Sequence, residues 1–330
     1  MDARQQRIAD DLAGAFSGEL RFDRVARSIY ASDASLYEIA PLGVAFPRHA
    51  DDVSLLARYA EETNIPLIPR GAGTGLAGNA IGSGLVVDFS RDMTAILEIG
   101  EKTVRVQPGV VRDQLNRALR EQERYFPPDP SNTAVTTVGG MLGVDAAGSH
   151  AIRVGSTRDH VLDVEVVLMG GARCRLGNEP IQSSAADSAE EGPQGELKRR
   201  LVSRLTHVLG QNRDLIQQRQ PALIRNCAGY HLRTVLTETH LQLPRLLVGS
   251  EGTLALFTEA TLHTIPLPAQ RGVGLLLFGR METAINVVQE LVAQQPSACD
   301  LMDRRLLSLA RESDPRFELM IPQTAEAGLI

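Results

Sequence analysis

The sequence predicts an α+β fold, and three observations predict it. Strand and helix periodicities alternate in the first third of the chain, but too irregularly for a barrel. A turn-rich tract of low charge, residues 127–157, interrupts that pattern. A strand-rich stretch at 245–265 then closes on Ile265-Pro266-Leu267-Pro268, whose prolines mark a boundary.

Residues 3–15 read as a short helix and 43–46 as a strand. Asp51 and Asp52 favour the start of a helix that carries Val53, Leu55, Leu56 and Tyr59 and breaks at Asn64. At Ile65-Pro66-Leu67-Ile68 the period changes to that of a short strand, which runs into a glycine-rich turn. Further strands fit 84–89, 94–99 and 102–106, and a helix fits 110–121. Beyond the turn-rich tract, 160–169 is a strand whose Val161, Leu162, Val164, Val166, Val167 and Leu168 are too apolar for a surface. Gly170-Gly171 turns it into a partner strand at 172–176.

Residues 178–196, rich in Ser, Ala, Glu, Pro and Gly, have little to bury and are expected to form a mobile surface excursion. A helix resumes near 197–209. After the proline boundary, 272–278 reads as a strand, 282–294 as a helix with Ile285, Val288, Leu291 and Val292 on its apolar side, and 303–310 as another helix. This is the opening of a small α+β unit, with a sheet of one or two strands and an uncovered face.

Composition narrows the function. With 34 basic and 40 acidic residues the net charge is -6, which argues against a general nucleic-acid binder. Cys174, Cys227 and Cys299 lie too far apart for a disulfide framework or for an iron–sulfur cluster built within this chain. The N-terminal stretch is charged and amphipathic, unlike a secretory signal, and no apolar run reaches the length of a membrane span. The expected compartment is the cytoplasm, with peripheral attachment to the inner face of the membrane left open.

Three tracts carry the chemistry. The first runs Pro69-Arg70-Gly71-Ala72-Gly73-Thr74-Gly75-Leu76-Ala77-Gly78. Its glycines let backbone N–H groups converge on phosphate oxygens, and Thr74 adds a hydroxyl. The G-x-G-x-x-G spacing within it does not imply a Rossmann unit, because Asn79, Gly82 and Gly84 continue the loop where that motif would open a helix. The second tract, Thr136-Thr137-Val138-Gly139-Gly140-Met141-Leu142-Gly143, permits close approach to a planar or phosphorylated ligand, and equally suits tight helix packing. The third is Gly249-Ser250-Glu251-Gly252-Thr253, where Glu251 can hold a ribose hydroxyl or make a structural hydrogen bond. Arg158 and Asp159 read as a local ion pair or turn clamp. The histidines show no metalloprotease spacing, and Ser250 is not in a G-x-S-x-G elbow, so metal and hydrolase chemistry lack their signatures. No residue is identified as a catalytic base.

Taken together, residues of about 40 to 265 resemble the FAD-binding domain of the vanillyl-alcohol oxidase and p-cresol methylhydroxylase (PCMH) superfamily, in its D-lactate, glycolate and D-2-hydroxyglutarate dehydrogenase branch. The resemblance rests on the 69–78 tract, Val104-Arg105-Val106-Gln107-Pro108-Gly109-Val110, Pro128-Asp129-Pro130-Ser131, Val138-Gly139-Gly140-Met141, Gly155-Ser156-Thr157-Arg158-Asp159-His160-Val161 and Val248-Gly249-Ser250-Glu251-Gly252-Thr253-Leu254, in that order. Ile29-Tyr30-Ala31-Ser32-Asp33-Ala34-Ser35-Leu36-Tyr37 and Val87-Asp88-Phe89-Ser90 look most like large members joined to an iron–sulfur region.

The resemblance implies a two-subdomain PCMH-type FAD-binding fold over 40–268, preceded by a helical extension at 1–39 and followed at 269–330 by an incomplete α+β substrate cap. It implies noncovalent FAD. The residues expected to hold it are Arg70, Gly71, Ala72, Gly73, Thr74, Gly75, Pro128, Asp129, Ser131, Thr137, Gly139, Gly140, Gly143, Gly148, Gly155, Thr157, Glu251 and Gly252. Relatives usually carry an asparagine within 144–148, which here reads Val144-Asp145-Ala146-Ala147-Gly148. The implied reaction is oxidation of a small D-2-hydroxy acid to the 2-oxo acid, with hydride passing to flavin N5 and electrons leaving for an iron–sulfur region or a separate acceptor. In that expectation the chain is truncated, supplies mainly FAD binding and is weakly active or inactive alone. An electron-transfer subunit without its own substrate site and a flavin-dependent alcohol or sugar oxidase are the alternatives.

Overall fold

A computed structural model describes residues 1–181, 192–223 and 228–330. Contacts divide these into two units. One comprises Met1–Phe126, Ser131–Ala146 and Ser156–Pro266, and the other Pro127–Pro130, Ala147–Gly155 and Leu267–Ile330.

The larger unit is built on two sheets. In the first, strands Gly43–Phe46 and Leu67–Arg70 both run parallel to Leu85–Asp88, which lies between them, and Glu19–Arg21 adds an antiparallel edge to Gly43–Phe46. Helix Ala50–Thr63 makes the crossover between the first two parallel strands. His49 occupies its N-cap position, Asp51 and Asp52 lie in its first turn, and Asn64 ends it in the left-handed conformation. The face of this helix that carries Val53 and Leu56 packs with Ile8, Leu12, Phe22 and Val87 in one apolar cluster. Each fully buried leucine contributes roughly 2 kcal/mol to such a core.

The second sheet is antiparallel, in the order Ile96–Ile99, Thr103–Val106, Leu256–His263, Val161–Val167 and Arg173–Leu176. Val104, Val106, Val164 and Val166 point inward against Leu115, Phe126, Met141 and Leu247. The opposite face carries a ladder of ion pairs, including Arg105 with Glu259 at 3.0 Å and Arg175 with Asp163 at 2.7 Å. Alternation along the strands therefore separates an apolar core from a charged surface.

Two sequence expectations in this unit need correction. A short helix, Leu243–Leu247, takes the first residues, 245–247, of the stretch expected to be strand-rich. Pro244 sits in its first turn, where a missing N–H costs nothing, and its leucines bury on one side. Within the expected excursion, Asn178–Pro180 instead pairs as a strand with His240–Gln242, and helix Pro193–Gln211 begins before 196. The rest of that expectation, over 182–191, lies outside the described residues, as does Cys227.

The smaller unit differs from expectation in its sheet. It has three strands in the order Leu276–Phe278, Ala327–Leu329, Leu301–Asp303, and both of its faces are covered. Helix Met281–Ala293 packs Ala284 on Ala327 and Leu329, and Leu307 of helix Arg304–Ser313 clusters with Ile321 and Ala325. The central strand, Ala-Gly-Leu, is too short to show a period. The strand expected at 272–278 shortens to Leu276–Phe278, matching the length of its partner, and Val273 is exposed.

Candidate cofactor site

Strands Leu67–Arg70 and Leu85–Asp88 are adjacent and parallel, with Arg70 opposite Asp88 at their carboxyl ends. The first glycine tract leaves that end and returns to the start of the second strand without forming a helix. Gly73 and Gly78 take φ values of +68° and +77°, where a side chain is strained. Among the hydrogen bonds of the described residues, none is donated by a backbone N–H from 71 to 79. Some of the carbonyls are engaged: Ala34 N donates to Gly73 O, and the Arg70 guanidinium donates to Ala80 O. N–H groups left unclaimed in a glycine-rich loop are available to an anion.

The second tract reaches this loop. Thr137 caps helix Val138–Val144, its Oγ1 accepting from Gly140 N at 3.2 Å. A Cβ on Gly71 would fall 2.1 Å from that same oxygen, so the glycine is required for the two tracts to touch. The glycines of this helix divide in role. Gly139 packs on Pro108, where a Cβ would stand 2.7 Å from the ring, whereas Gly143 faces open space. The first N–H groups of the helix are already used, Val138 N on Val110 O and Gly139 N on Pro108 O. Of the two roles left open for this tract, Gly139 takes tight packing, while Gly143 leaves its backbone uncovered.

The third tract joins through the backbone. Gly249 N donates to Leu142 O and Glu251 N to Gly143 O, and Gly252, at φ +75°, lies against Pro69, whose Cγ would be 2.3 Å from a Cβ. Arg70, Gly71, Ala72, Gly73, Thr74, Gly75, Thr137, Gly139, Gly140, Gly143, Glu251 and Gly252 are therefore brought to one region of the larger unit. Thr157 is buried and donates to Ala146 O, which closes the 146–157 stretch of chain, while Ser131 is exposed in a turn.

Pro128, Asp129, Gly148 and Gly155 belong to the smaller unit. There a Cβ on Gly148 would overlap the Asp129 backbone, and the Asp129 carboxylate meets His150 Nδ1 at 2.5 Å. Gly155, at φ +76°, ends the helical turn Ala151–Val154.

Of the two readings of Arg158 and Asp159, the turn clamp applies to Asp159, whose carboxylate accepts from Ser156 N. Arg158 pairs with Asp145 at 2.9 Å, both buried, and donates to Val248 O at 2.7 Å. Asp159 also pairs with Arg245. Arg158 braces the third tract against the end of the second, which the sequence conceals because the partners lie far apart along the chain. His231 lies close by. Burial, reinforced by Arg158 and then Arg245, pushes its pKa down to about 4. The buried Ser250 hydroxyl has no hydrogen-bond partner among the described residues.

Residues 41–177 match the family described as FAD binding domain, a segment that contains the first two tracts. Residues 41–177 are similar to an FAD-binding domain. The chain is 36% identical over 309 residues to a D-2-hydroxyglutarate dehydrogenase of Pantoea ananatis (strain AJ13355), covering 91% of this chain and 30% of that protein. It is 29% identical to the glycolate oxidase subunit GlcD of Bacillus subtilis (strain 168), covering 95% of this chain and 56% of that one. The chain thus spans about a third to a half of the length of these relatives. Among solved structures, alkyldihydroxyacetonephosphate synthase superposes with a TM-score of 0.65 at 17% identity, over 100% of this chain and 55% of its own, which shows a shared fold.

FAD is the cofactor of the FAD-binding domain and is held noncovalently. The chain's own geometry fits it. The unclaimed N–H groups from 71 to 79 suit an anionic diphosphate, and the uncovered backbone at Gly143 admits a close-lying ring. No helix among the described residues is long and apolar enough to cross a membrane.

Proposed function

We propose that this chain supplies the FAD-holding part of an oxidoreductase that oxidises a D-2-hydroxy acid of the D-lactate, glycolate or D-2-hydroxyglutarate class to the 2-oxo acid. The single observation that carries the reading is the run of N–H groups from 71 to 79 with no acceptor among the described residues, beside glycines that open the backbone. In this reading residues 71–75 receive the diphosphate. Thr137, Gly140, Gly143 and Gly252 border the rest of the cofactor, with Glu251 available for a hydroxyl. Ser131 and Thr157, in the same unit, complete the set. Residues 40–268 then form the two-subdomain FAD-binding part, and 269–330 opens a substrate cap.

Bound FAD supplies the acceptor for the hydrogen and electron pair removed from the substrate carbon. What the chain's own residues contribute is placement: a preformed loop that keeps its donors aimed and excludes side chains from the cofactor's path. An iron–sulfur region or another acceptor would take up the electrons. The relatives named above support the substrate class.

The test begins with the visible spectrum of the purified chain and the mass of the flavin released by acid, which should be FAD with no colour left on the peptide. FAD-loaded protein is then mixed anaerobically with D-lactate, glycolate, D-malate and D-2-hydroxyglutarate, with and without divalent metal, while flavin bleaching is followed. Slow or absent bleaching agrees with a chain that mainly binds FAD. Bleaching at turnover rates would show a full substrate site within these residues, and no bound flavin at all would sink the assignment of the loop.

A further inference from the structure

Tyr30 and Asp88 lie outside every tract singled out as touching the cofactor, yet they close on its first loop from behind. The Tyr30 hydroxyl donates to Asp88 Oδ2, and the other oxygen of this buried carboxylate accepts from Ser90 N and Ser90 Oγ, both at 2.6 Å. The carboxylate is thereby fixed by three donors and orients the phenol ring. Above that ring, 5.0 Å from its centroid, sits the Arg70 guanidinium. The guanidinium does not turn outward. It donates to Ser32 O at 2.9 Å and to Ala80 O at 3.2 Å, linking the 30–37 segment to the far end of the glycine loop. Its Nη2 lies 2.6 Å from where a Gly73 Cβ would be. The loop is wrapped around this cation.

That arrangement changes the role expected of Arg70. Nη1 serves both carbonyls and the ring lies beneath the cation, so the guanidinium braces the loop. We propose that Tyr30, held by Asp88, is a positioning residue for FAD: it fixes Arg70, and Arg70 in turn holds the 71–79 loop in one conformation before the cofactor arrives. This rests on the reading of that loop as the diphosphate site. The physical gain is preorganisation, because a loop of glycines left unbraced must be ordered at the expense of binding.

The experiment measures FAD and ADP affinity of the full chain by calorimetry for wild type, Tyr30→Leu, Tyr30→Phe, Arg70→Met and Tyr30→Leu/Arg70→Met, with the melting temperature of each flavin-free protein. ADP carries the diphosphate without the flavin. Tyr30→Leu should weaken both ligands roughly tenfold, the range a desolvated cation–π contact spans. Tyr30→Phe keeps the ring face but loses the bond to Asp88, and should weaken both ligands by about threefold, a measurable loss smaller than that of Tyr30→Leu. The double variant should bind no more weakly than Arg70→Met, since the tyrosine acts through the arginine. Equal FAD affinity of wild type and Tyr30→Leu, or losses that add in the double variant, would overturn the inference. Should Tyr30→Leu not fold, Tyr30→Phe decides, because an affinity identical to wild type removes the hydroxyl tether from the mechanism. A wild-type chain that takes up neither FAD nor ADP would instead refute the diphosphate reading of the loop.

Discussion

Gly71 and Thr137 share one position in space: the Thr137 Oγ1 that caps helix Val138–Val144 occupies the place, 2.1 Å away, that a side chain on Gly71 would need. Gly71→Ala should therefore push the threonine off its cap, at a cost of about 1–2 kcal/mol in stability, and weaken FAD binding. Thr137→Ala alone loses only the cap. Combined, the two alanines no longer collide, so the double variant should be more stable than the sum of the single losses predicts. A urea-denaturation cycle over the four proteins checks this, and strict additivity would contradict the contact.

Gly143 and Gly252 should respond oppositely to alanine. Gly143 is helical with nothing within 4 Å of a Cβ, so Gly143→Ala should raise flavin-free stability by about 0.5–1 kcal/mol through helix propensity. The same methyl should weaken FAD binding, because it fills the uncovered backbone. Gly252→Ala combines a φ of +75° with a clash on Pro69 and should cost about 2–3 kcal/mol before any flavin is added. Thermal melts with and without FAD separate these outcomes, and a Gly143→Ala protein that binds FAD as well as wild type would remove that face from the site.

Asp145→Ala should be among the most damaging changes in the larger unit, costing about 3–5 kcal/mol, because it withdraws the carboxylate paired with buried Arg158. It also places alanine at a φ of 51°. Asp145→Asn tolerates that conformation and keeps an acceptor for Arg158 N, so about 1–2 kcal/mol is expected. Chemical denaturation of both variants tests the order, and equal losses would show that the ion pair contributes little.

His231 sets an acid limit on stability. Its pKa in the folded chain is about 4, against an ordinary value of 6.5, so the unfolded chain takes up a proton in that interval and the folded chain does not. Stability should accordingly fall as pH drops from 6.5 towards 4 and lose nothing further to this group below that. The ring is only half buried, and solvent screening reduces the expected loss to roughly 1–2 kcal/mol. Unfolding free energies between pH 7 and pH 4 should slope less in His231→Gln than in wild type. Parallel curves would show that His231 titrates alike in both states.

The sequence alone determined the local elements and the chemical character of the tracts. Asp51 and Asp52 before an apolar stripe, the Gly170-Gly171 turn between two strands, and the helix-free continuation of the loop after Gly78 are all signals carried by neighbouring residues. Backbone freedom and side-chain period act over such short distances, so they can be read directly. Only the tertiary structure decided which groups meet. Gly139 faces Pro108 while Gly143 faces open space, although both lie in the same glycine-rich tract. Arg158 meets Asp145, thirteen residues earlier, because the fold returns the end of the second tract to it. The short strand Ala327–Leu329 becomes the centre of a sheet through its pairing partners, having no period of its own. Contacts of this kind depend on loop closure and packing between distant segments, which local pattern does not encode.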